Sequence, residues 1–553
     1  MLTEKQLQEL VDSLPLDELA GQVINYDIAQ RHDREWVAQI IRDTKPGSIY
    51  YGNASDDLCE FVRELQDEAC NIPTMYVADV EHGPGCGAPV EELLPVPMAW
   101  GAVNDPELVE AAHYETAKIC RKHMRHLALS PVADINLNFR NPLVNTRAVS
   151  DDTDAVIRLC TAAVRGFQKD GMMAACCKHF PGDGVDDRNQ HFLTSVNSLS
   201  KEEWMNTYGR VYKAMIEAGT MSIMVAHIAL PAFDEKTDDI LGYPPATLSK
   251  NLMTGLLKET LGFQGCIVSD AMCMIGACAM VPAERLAVEY LKAGGDMILF
   301  ALPTDHKYIM EAVESGDLPL ERLKDAALRI MRMKNFVGLF GEEDAIQAKL
   351  AEDPLDKIAA MDQELADRSI TVIRNARGLF PQKDLKPGAK ILQVIIQIEE
   401  KNGNNVNYRP METVEEELIA RGYEVTTLIN PKHYDVKDAA EKYDLVLLNS
   451  RISSSNYYGG TLSLGWGQVM ALWRGYLMQH PKLIFTSFGD PYKLYDYPFA
   501  HTYINTYSPT KSSQRAFVKA LLGEIEAVGK SPVAHEGFFE RDIRENNRCG
   551  VIR

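Results

Sequence analysis

The chain has 553 residues, too many for one ordinary domain and enough for two or three. Hydrophobic residues make up 46% and charged residues 24%, the balance of a globular protein with a full core, which excludes a disordered or fibrous chain. A formal net charge of −21 repels phosphate backbones and argues against nucleic acid as a partner.

Residues 1–22 are polar with a helical pattern, and lack the basic start and apolar run of a secretion signal. No stretch approaches the ~20 apolar residues that span a bilayer. The eleven cysteines are scattered, with no C-x-x-C pair, and read as reduced, mostly buried thiols rather than a disulfide framework or a zinc site. A cytoplasmic protein is expected.

Apolar runs then recur at 21–26, 47–52, 74–79, 127–134, 173–180, 222–228, 265–270 and 296–301. Between them lie amphipathic segments, among them 105–124, 152–169, 201–218, 249–261 and 281–293. Near-continuous apolar strands separated by helices predict a parallel sheet covered on both faces. Eight such units are the number of a (β/α)8 TIM-type barrel, here over residues 1–340. Residues 341–380 are charged and helical and read as a linker. A second α/β pattern follows over 381–553, with strands at 389–397, 423–429, 443–450, 482–489 and 501–507 and helices at 413–421, 466–479 and 512–527. It predicts a smaller αβα sandwich domain with a polar C-terminal tail. The fold class is therefore α/β, a barrel followed by a sandwich.

Asp79, Asp134, Lys178, His179, His227 and Asp270 all fall at or just after the C-terminal ends of predicted barrel strands. One such residue is more often a buried polar group with a private partner. Five strand ends converging on one rim point to a site, because barrel enzymes build their active sites there. The richest stretch is Lys178-His-Phe-Pro-Gly-Asp-Gly-Val-Asp-Asp-Arg-Asn-Gln-His191, a strand end running into a Pro/Gly loop with three acids and a second histidine. Lys and His there suit hydroxyls or a carboxylate, and P-loop spacing is absent. The second stretch is Pro245-Ala-Thr-Leu-Ser249, a helix start, followed by Leu261-Gly-Phe-Gln-Gly-Cys-Ile-Val-Ser-Asp270-Ala-Met272. Its strand delivers one carboxylate that can serve as nucleophile, base or metal ligand.

These stretches, together with LPVPMAWGAVNDPEL, PVADINLNFRNPLVNTR and SFGDPYKL, resemble glycoside hydrolase family 3 over residues ~15–530, and most of all its β-N-acetylglucosaminidase-like branch in the two-domain form. The resemblance implies a retaining exo-β-glycosidase, most of all a β-N-acetylhexosaminidase that hydrolyses terminal β-linked GlcNAc through a covalent glycosyl-Asp intermediate. It makes Asp270 the nucleophile and His191 the acid/base, with substrate contacts at Asp79, Arg147, Lys178 and His179. His227 has the rim position with a weaker match. An imidazole with pKa near 6.5 can give and take a proton at neutral pH. No cofactor and no metal are implied. The partner is a small oligosaccharide or glycoside, with no nucleic acid and no membrane.

Three positions depart from the family pattern. Asn189 stands where the family pairs an Asp with the histidine, with Asp186 and Asp187 nearby. Asp79-Val-Glu-His-Gly-Pro-Gly-Cys-Gly87 lacks the arginines that usually follow, and Asp183 replaces a frequent His. The alternatives are a β-glucosidase or β-xylosidase of the same family, a glycoside phosphorylase, and a sugar-binding relative without catalysis. A metal-dependent barrel hydrolase would need a His-x-His after the first strand, which here reads Asn25-Tyr-Asp27.

Overall fold

The computed structural model describes residues 1–28, 33–52, 54–91, 94–237, 242–278, 280–341, 346, 349–350, 354–397, 411–452, 470, 477 and 480–535. The chain divides into two compact units. One comprises Met1–Leu93, Pro106–Ile135 and Val156–Ile358, the other Leu94–Asp105, Asn136–Ala155 and Ala359–Arg553.

The first unit is built on a parallel sheet of seven strands in chain order: Asn25–Asp27, Ser48–Tyr50, Met75–Ala78, Leu127–Ala128, Ala174–Phe180, Ser222–Val225 and Cys266–Ser269. Val77, Ala128, Cys177, Ile223 and Ile267 are all fully buried. Burial on both faces is why these strands read as unbroken apolar runs instead of an alternation. Helices such as Arg34–Thr44, Asp56–Ala69 and Pro106–Lys122 connect them.

Two elements differ from the sequence reading. The run 296–301 is not a strand along its length. It makes single parallel bridges to both sheet edges, Met297 with Val268 and Ile298 with Ile24. Asn25 N donates to Ile298 O at 2.9 Å, and Ala301 N to Asn25 O at 2.9 Å. Phe300, at φ 57°, lies in the left-handed region and interrupts the extended backbone there. The segment 201–218 forms two helices, Lys201–Asn206 and Tyr208–Glu217. Thr207 between them has φ −117° and ψ −93°. Its hydroxyl donates to Glu203 O at 2.7 Å, the local side-chain bond that competes with helix continuation. An Ser200–Glu203 capping box starts the first of the two.

The second unit carries a six-stranded sheet in the order Thr371–Asn375, Thr502–Asn505, Leu483–Ser487, Leu445–Arg451, Lys390–Gln397, Glu424–Ile429. Neighbours are parallel except the first pair. Thr371–Asn375 lies in the stretch read as a helical linker. It follows the helix Leu355–Ser369 and forms one sheet edge. Two apolar clusters flank this sheet, one around Ile391, Leu447 and Phe517, the other around Leu392, Val446 and Phe485. A third joins Met98, Ala99 and Ala102 to Tyr492, Tyr507 and Val533, which draws the short helix Pro97–Val103 into this unit. The helix expected at 466–479 lies almost wholly outside the described residues. Among the described residues no helix is long and apolar enough to cross a membrane.

Candidate active site

Two groupings of polar side chains occupy the C-terminal ends of the parallel strands in the first unit. The first is centred on Lys178. Its ammonium lies 2.8 Å from Asp79 Oδ1 and 2.7 Å from Glu81 Oε1. Tyr50 Oη donates to the other Asp79 oxygen at 2.9 Å, and the ring of Phe300 meets Tyr50 edge-on at 4.9 Å. Lys178 is 4% exposed and Asp79 40%, so the lysine is covered while the aspartate opens to solvent and a ligand. Three donors on an ammonium and two carboxylates around it make a hydrogen-bonding surface suited to sugar hydroxyls.

His179, next along the strand, gives its Nδ1 proton to Asp134 Oδ2 at 2.7 Å. Asp134 is fully buried and also accepts the N–H groups of His179 at 3.2 Å and Asp183 at 2.8 Å. This fixes the start of the loop. Gly182 sits at φ +120°, and a Cβ there would fall 2.2 Å from the Tyr208 ring, so only glycine lets the loop pass that tyrosine. Tyr208 Oη in turn donates to Ile135 O at 3.1 Å and to Asp183 O.

The second grouping joins the loop's far end to Asp270. Asn189 Oδ1 receives both the N–H of His191 at 3.0 Å and its Nδ1 at 2.7 Å. Two donors converging on one amide atom identify that atom as the oxygen, which places a proton on Nδ1 and leaves Nε2 for proton exchange. Asp186 is engaged elsewhere, with Arg188 Nε at 2.9 Å and the N–H of Val196 at 2.7 Å. Burial raises its pKa, and these partners outweigh that and hold it below the usual carboxylate range. Asp187 is exposed. The imidazole of His191 is therefore held by a neutral amide.

Asp270 follows strand Cys266–Ser269 and is 9% exposed. Burial pushes its pKa up, but His179, His227 and His191, with the N–H of Ala271 at 2.8 Å, outweigh the burial and hold the carboxyl below its ordinary range. It is an ionised, nearly dry carboxylate at neutral pH. Ile275 N donates to His191 O at 3.2 Å, which holds the loop carrying this proton carrier against the segment that follows Asp270.

His227 is fully buried, and both its nitrogens are used within the protein. Nε2 donates to Ala271 O at 3.0 Å and Nδ1 accepts from Thr247 Oγ1 at 3.0 Å. Burial pushes its pKa below the ordinary imidazole range, against the opposing pull of the Asp270 carboxylate. Arg147 falls in the second unit, at the end of the turn Asn145–Arg147, where its guanidinium donates to Leu143 O at 3.4 Å. In the same unit Asn145 Nδ2 donates to Asp490 Oδ1 at 3.0 Å, and Lys493 pairs with Asp490 at 2.5 Å, so the NPLVNTR and SFGDPYKL stretches meet. Asp79, Lys178, His179, Asn189, His191, His227 and Asp270 lie together in the first unit.

Glu81, Tyr50 and Gln190 were missed as members of the site. Glu81 had a signal, an acid two residues beyond a strand-end aspartate. Tyr50 and Gln190 had none, because tyrosine and glutamine in such surroundings are common packing residues. Among the described residues no group of three or more His, Cys, Asp or Glu side chains is placed to hold a metal ion.

The sequence model of the glycosyl hydrolase family 3 N-terminal domain matches residues 7–333. A β-N-acetylglucosaminidase/β-glucosidase of Cellulomonas fimi is 31% identical over 536 residues, covering 94% of this chain and 93% of that one. β-Hexosaminidase A of Pseudoalteromonas piscicida is 28% identical over 295 residues, 49% of this chain and 47% of that one, so the chain matches about half of that relative's length. Among solved structures, the β-glucoside phosphorylase BglX bound to 2FGlc superposes with a TM-score of 0.82 at 29% identity, covering 96% of each chain. A family 3 β-N-acetylglucosaminidase from Paenibacillus sp. str. FPU-7 superposes at 0.81 and 25% identity, covering 94% of this chain and 99% of that one.

Proposed function

Because the chain belongs to glycosyl hydrolase family 3, we propose that it is a retaining exo-β-glycosidase that removes terminal β-linked N-acetylglucosamine, with Asp270 as nucleophile and His191 as acid/base. The observation that carries this reading is that the loop presenting His191, whose Nδ1 is fixed by Asn189 at 2.7 Å, is tied to the segment that follows the buried Asp270 by the bond from Ile275 N to His191 O at 3.2 Å. In the first step the Asp270 carboxylate attacks the anomeric carbon, and His191 Nε2 gives its proton to the departing oxygen. A covalent glycosyl-Asp270 ester results. In the second step the neutral Nε2 takes a proton from water as that water attacks the same carbon, which regenerates both groups. This is the retaining scheme with an imidazole in place of the second carboxylate. Asp79, Lys178 and His179 bind hydroxyls of the sugar, and His227 holds the Ala271 carbonyl instead of touching the ligand.

This reading includes closure of the parallel sheet into a (β/α)8 barrel by the segment 296–301, supported by its bonds to both edges. It also places the enzyme in the cytoplasm, working on imported saccharides or glycosides. No disulfide joins any of the ten cysteines among the described residues, which suits that compartment.

A second reading is that inorganic phosphate replaces water as the acceptor. The neutral amide on His191 favours it, since an anion approaching that face meets no dyad carboxylate. The fold likeness to a β-glucoside phosphorylase points the same way. One experiment serves both readings: aryl β-glycosides of GlcNAc, Glc and Xyl, with and without phosphate, on wild type and His191→Ala. Release of free GlcNAc supports the first reading, and a glycosyl phosphate formed in preference to free sugar supports the second. In His191→Ala, substrates with poor leaving groups should lose far more rate than dinitrophenyl ones, and azide should restore turnover as the β-glycosyl azide. Equal losses across leaving groups would remove His191 from the acid/base role.

A further inference from the structure

Between Asn189 and His191 stands Gln190, which is fully buried although it belongs to a polar loop. Its Oε1 accepts the backbone N–H of His227 at 3.1 Å, and its Nε2 reaches Asp183 Oδ2 at 3.5 Å. The His227 ring is the next link. Its Nε2 donates to Ala271 O, the residue whose N–H binds Asp270 Oδ1 at 2.8 Å. A short relay of bonds therefore runs from the segment carrying His191 to the segment carrying Asp270.

Further contacts tie the same two segments. Ile275 N donates to His191 O at 3.2 Å, and Thr194 Oγ1 to Gly276 O at 2.9 Å. A Cβ on Gly276 would lie 2.4 Å from Gln190 O and 3.0 Å from His227 Cβ, so glycine there permits the backbone of Gln190 to close onto the Asp270 side. These anchors matter because the Asp134 bonds to His179 and Asp183 fix only the start of the loop, whereas His191 stands at its far end.

We infer that Gln190 is a positioning residue, whose buried amide docks the acid/base loop on His227 and so sets His191 at its working distance from Asp270. The inference rests on the assignment of His191 as acid/base. Neither Gln190 nor Gly276 touches the reacting atoms. Proton transfer to a leaving oxygen is sensitive to displacements of under an ångström, whereas attack by Asp270 on an activated substrate needs no proton. Loss of the dock should therefore be felt selectively.

The test compares kcat/KM for 2,4-dinitrophenyl and alkyl β-glycosides of the preferred sugar in wild type, Gln190→Ala, Gln190→Glu, Gly276→Ala and His191→Ala. Gln190→Ala should lose about 10–100-fold on alkyl glycosides through kcat, and less than about threefold on the dinitrophenyl glycoside. Gly276→Ala, which leaves the Gln190 side chain intact but pushes on its backbone, should show the same selectivity. Gln190→Glu retains an acceptor for His227 N–H and should recover most of the alkyl activity, short of full because its second oxygen faces Asp183. Should Gln190→Ala fail to fold, Gly276→Ala and Gln190→Glu give the decision. Equal losses on both substrates, or an effect confined to KM, would overturn the inference. If His191→Ala itself shows no leaving-group selectivity, the acid/base assignment falls. If His191→Ala is selective and the Gln190 and Gly276 variants are not, only the positioning role falls.

Discussion

Replacing Asn189 by Asp puts a carboxylate where a neutral amide now accepts the Nδ1 proton of His191 at 2.7 Å. Two unit charges ~4 Å apart attract by about 1 kcal/mol in water and about 4 kcal/mol at the effective dielectric of a protein surface. Asn189 is 7% exposed and His191 half-buried, so the pair falls between those limits. Screening on the solvent side and the cost of burying the new carboxylate reduce the gain, leaving about 1.5–2.5 kcal/mol, or roughly one to two pKa units at ~1.36 kcal/mol each. The carboxylate favours the imidazolium, so the histidine pKa rises. The general acid then stays protonated to higher pH, and the alkaline limb of kcat/KM for an alkyl glycoside moves upward by that amount. Asp187→Asn is the control. Asp187 is exposed and Asn189 holds the ring, so its removal should leave the limb in place. An unmoved limb in Asn189→Asp would refute the argument and, with it, the role of His191 as the titrating acid.

Asp270→Asn should lower kcat by about 10³-fold or more, some 4 kcal/mol of barrier, with an unchanged melting temperature. Retention of a tenth of the activity, or a glycosyl adduct trapped on another residue, would count against Asp270. Glu81→Gln removes one of two carboxylates holding Lys178 and should raise KM about tenfold while kcat for dinitrophenyl glycosides changes less than threefold; an unchanged KM would show that Asp79 alone positions the lysine. Lys334 is fully buried, donates to Gln22 Oε1 at 2.7 Å, and has its pKa pulled down to about 7 by that burial. Its ordinary pKa is near 10.4, so between about pH 7 and 10 the unfolded chain binds the extra proton and stability rises with pH. The urea midpoint should therefore increase from pH 7 to pH 9.5, and Lys334→Met should flatten that rise; a wild-type midpoint that falls over the same interval would contradict the assignment.

The parallel sheet was legible because strands buried on both faces must be apolar at every position, as in Cys176-Cys177 and Ile267-Val268. The polar residues then stand out only where a strand stops, which exposed Asp79, Lys178, His179 and Asp270. The eighth run reads as a strand by composition, and only the backbone at Phe300 shows where it departs. Thr371–Asn375 escaped notice because five residues between a charged helix and a turn carry too little pattern to separate strand from linker. Within the site, the identity of the group on His191 could not be read from spacing. Asn189, Asp186 and Asp187 are all within reach of a flexible loop, and it is the Arg188 and Val196 contacts of Asp186 that decide among them. Gln190 was invisible for a different reason: its partner, the N–H of His227, is a backbone group and leaves no trace in the sequence.

The composition of the second unit has a consequence for biosynthesis. Ser150 Oγ donates to Pro532 O at 2.6 Å, Ala534 N to Asp151 Oδ2 at 2.8 Å, and Lys530 N to Ala102 O at 3.0 Å. The first of these bonds joins groups 382 residues apart. At ~5–20 residues per second of translation, residues 94–105 and 136–155 leave the ribosome roughly 20–85 s before the partners that complete their unit. During that interval Met98, Ala99 and Ala102 lack the aromatic residues that cover them in the finished protein. Stalled nascent chains ending before residue 530 should be cut by protease within 136–155, and chains long enough to expose residue 535 outside the ribosome should resist; equal sensitivity at both lengths would show that the early segments find shelter on their own. The ribosome thus holds two ends of one folding unit apart for much of the chain's synthesis, which makes those two short segments the places where a chaperone has the longest time to act.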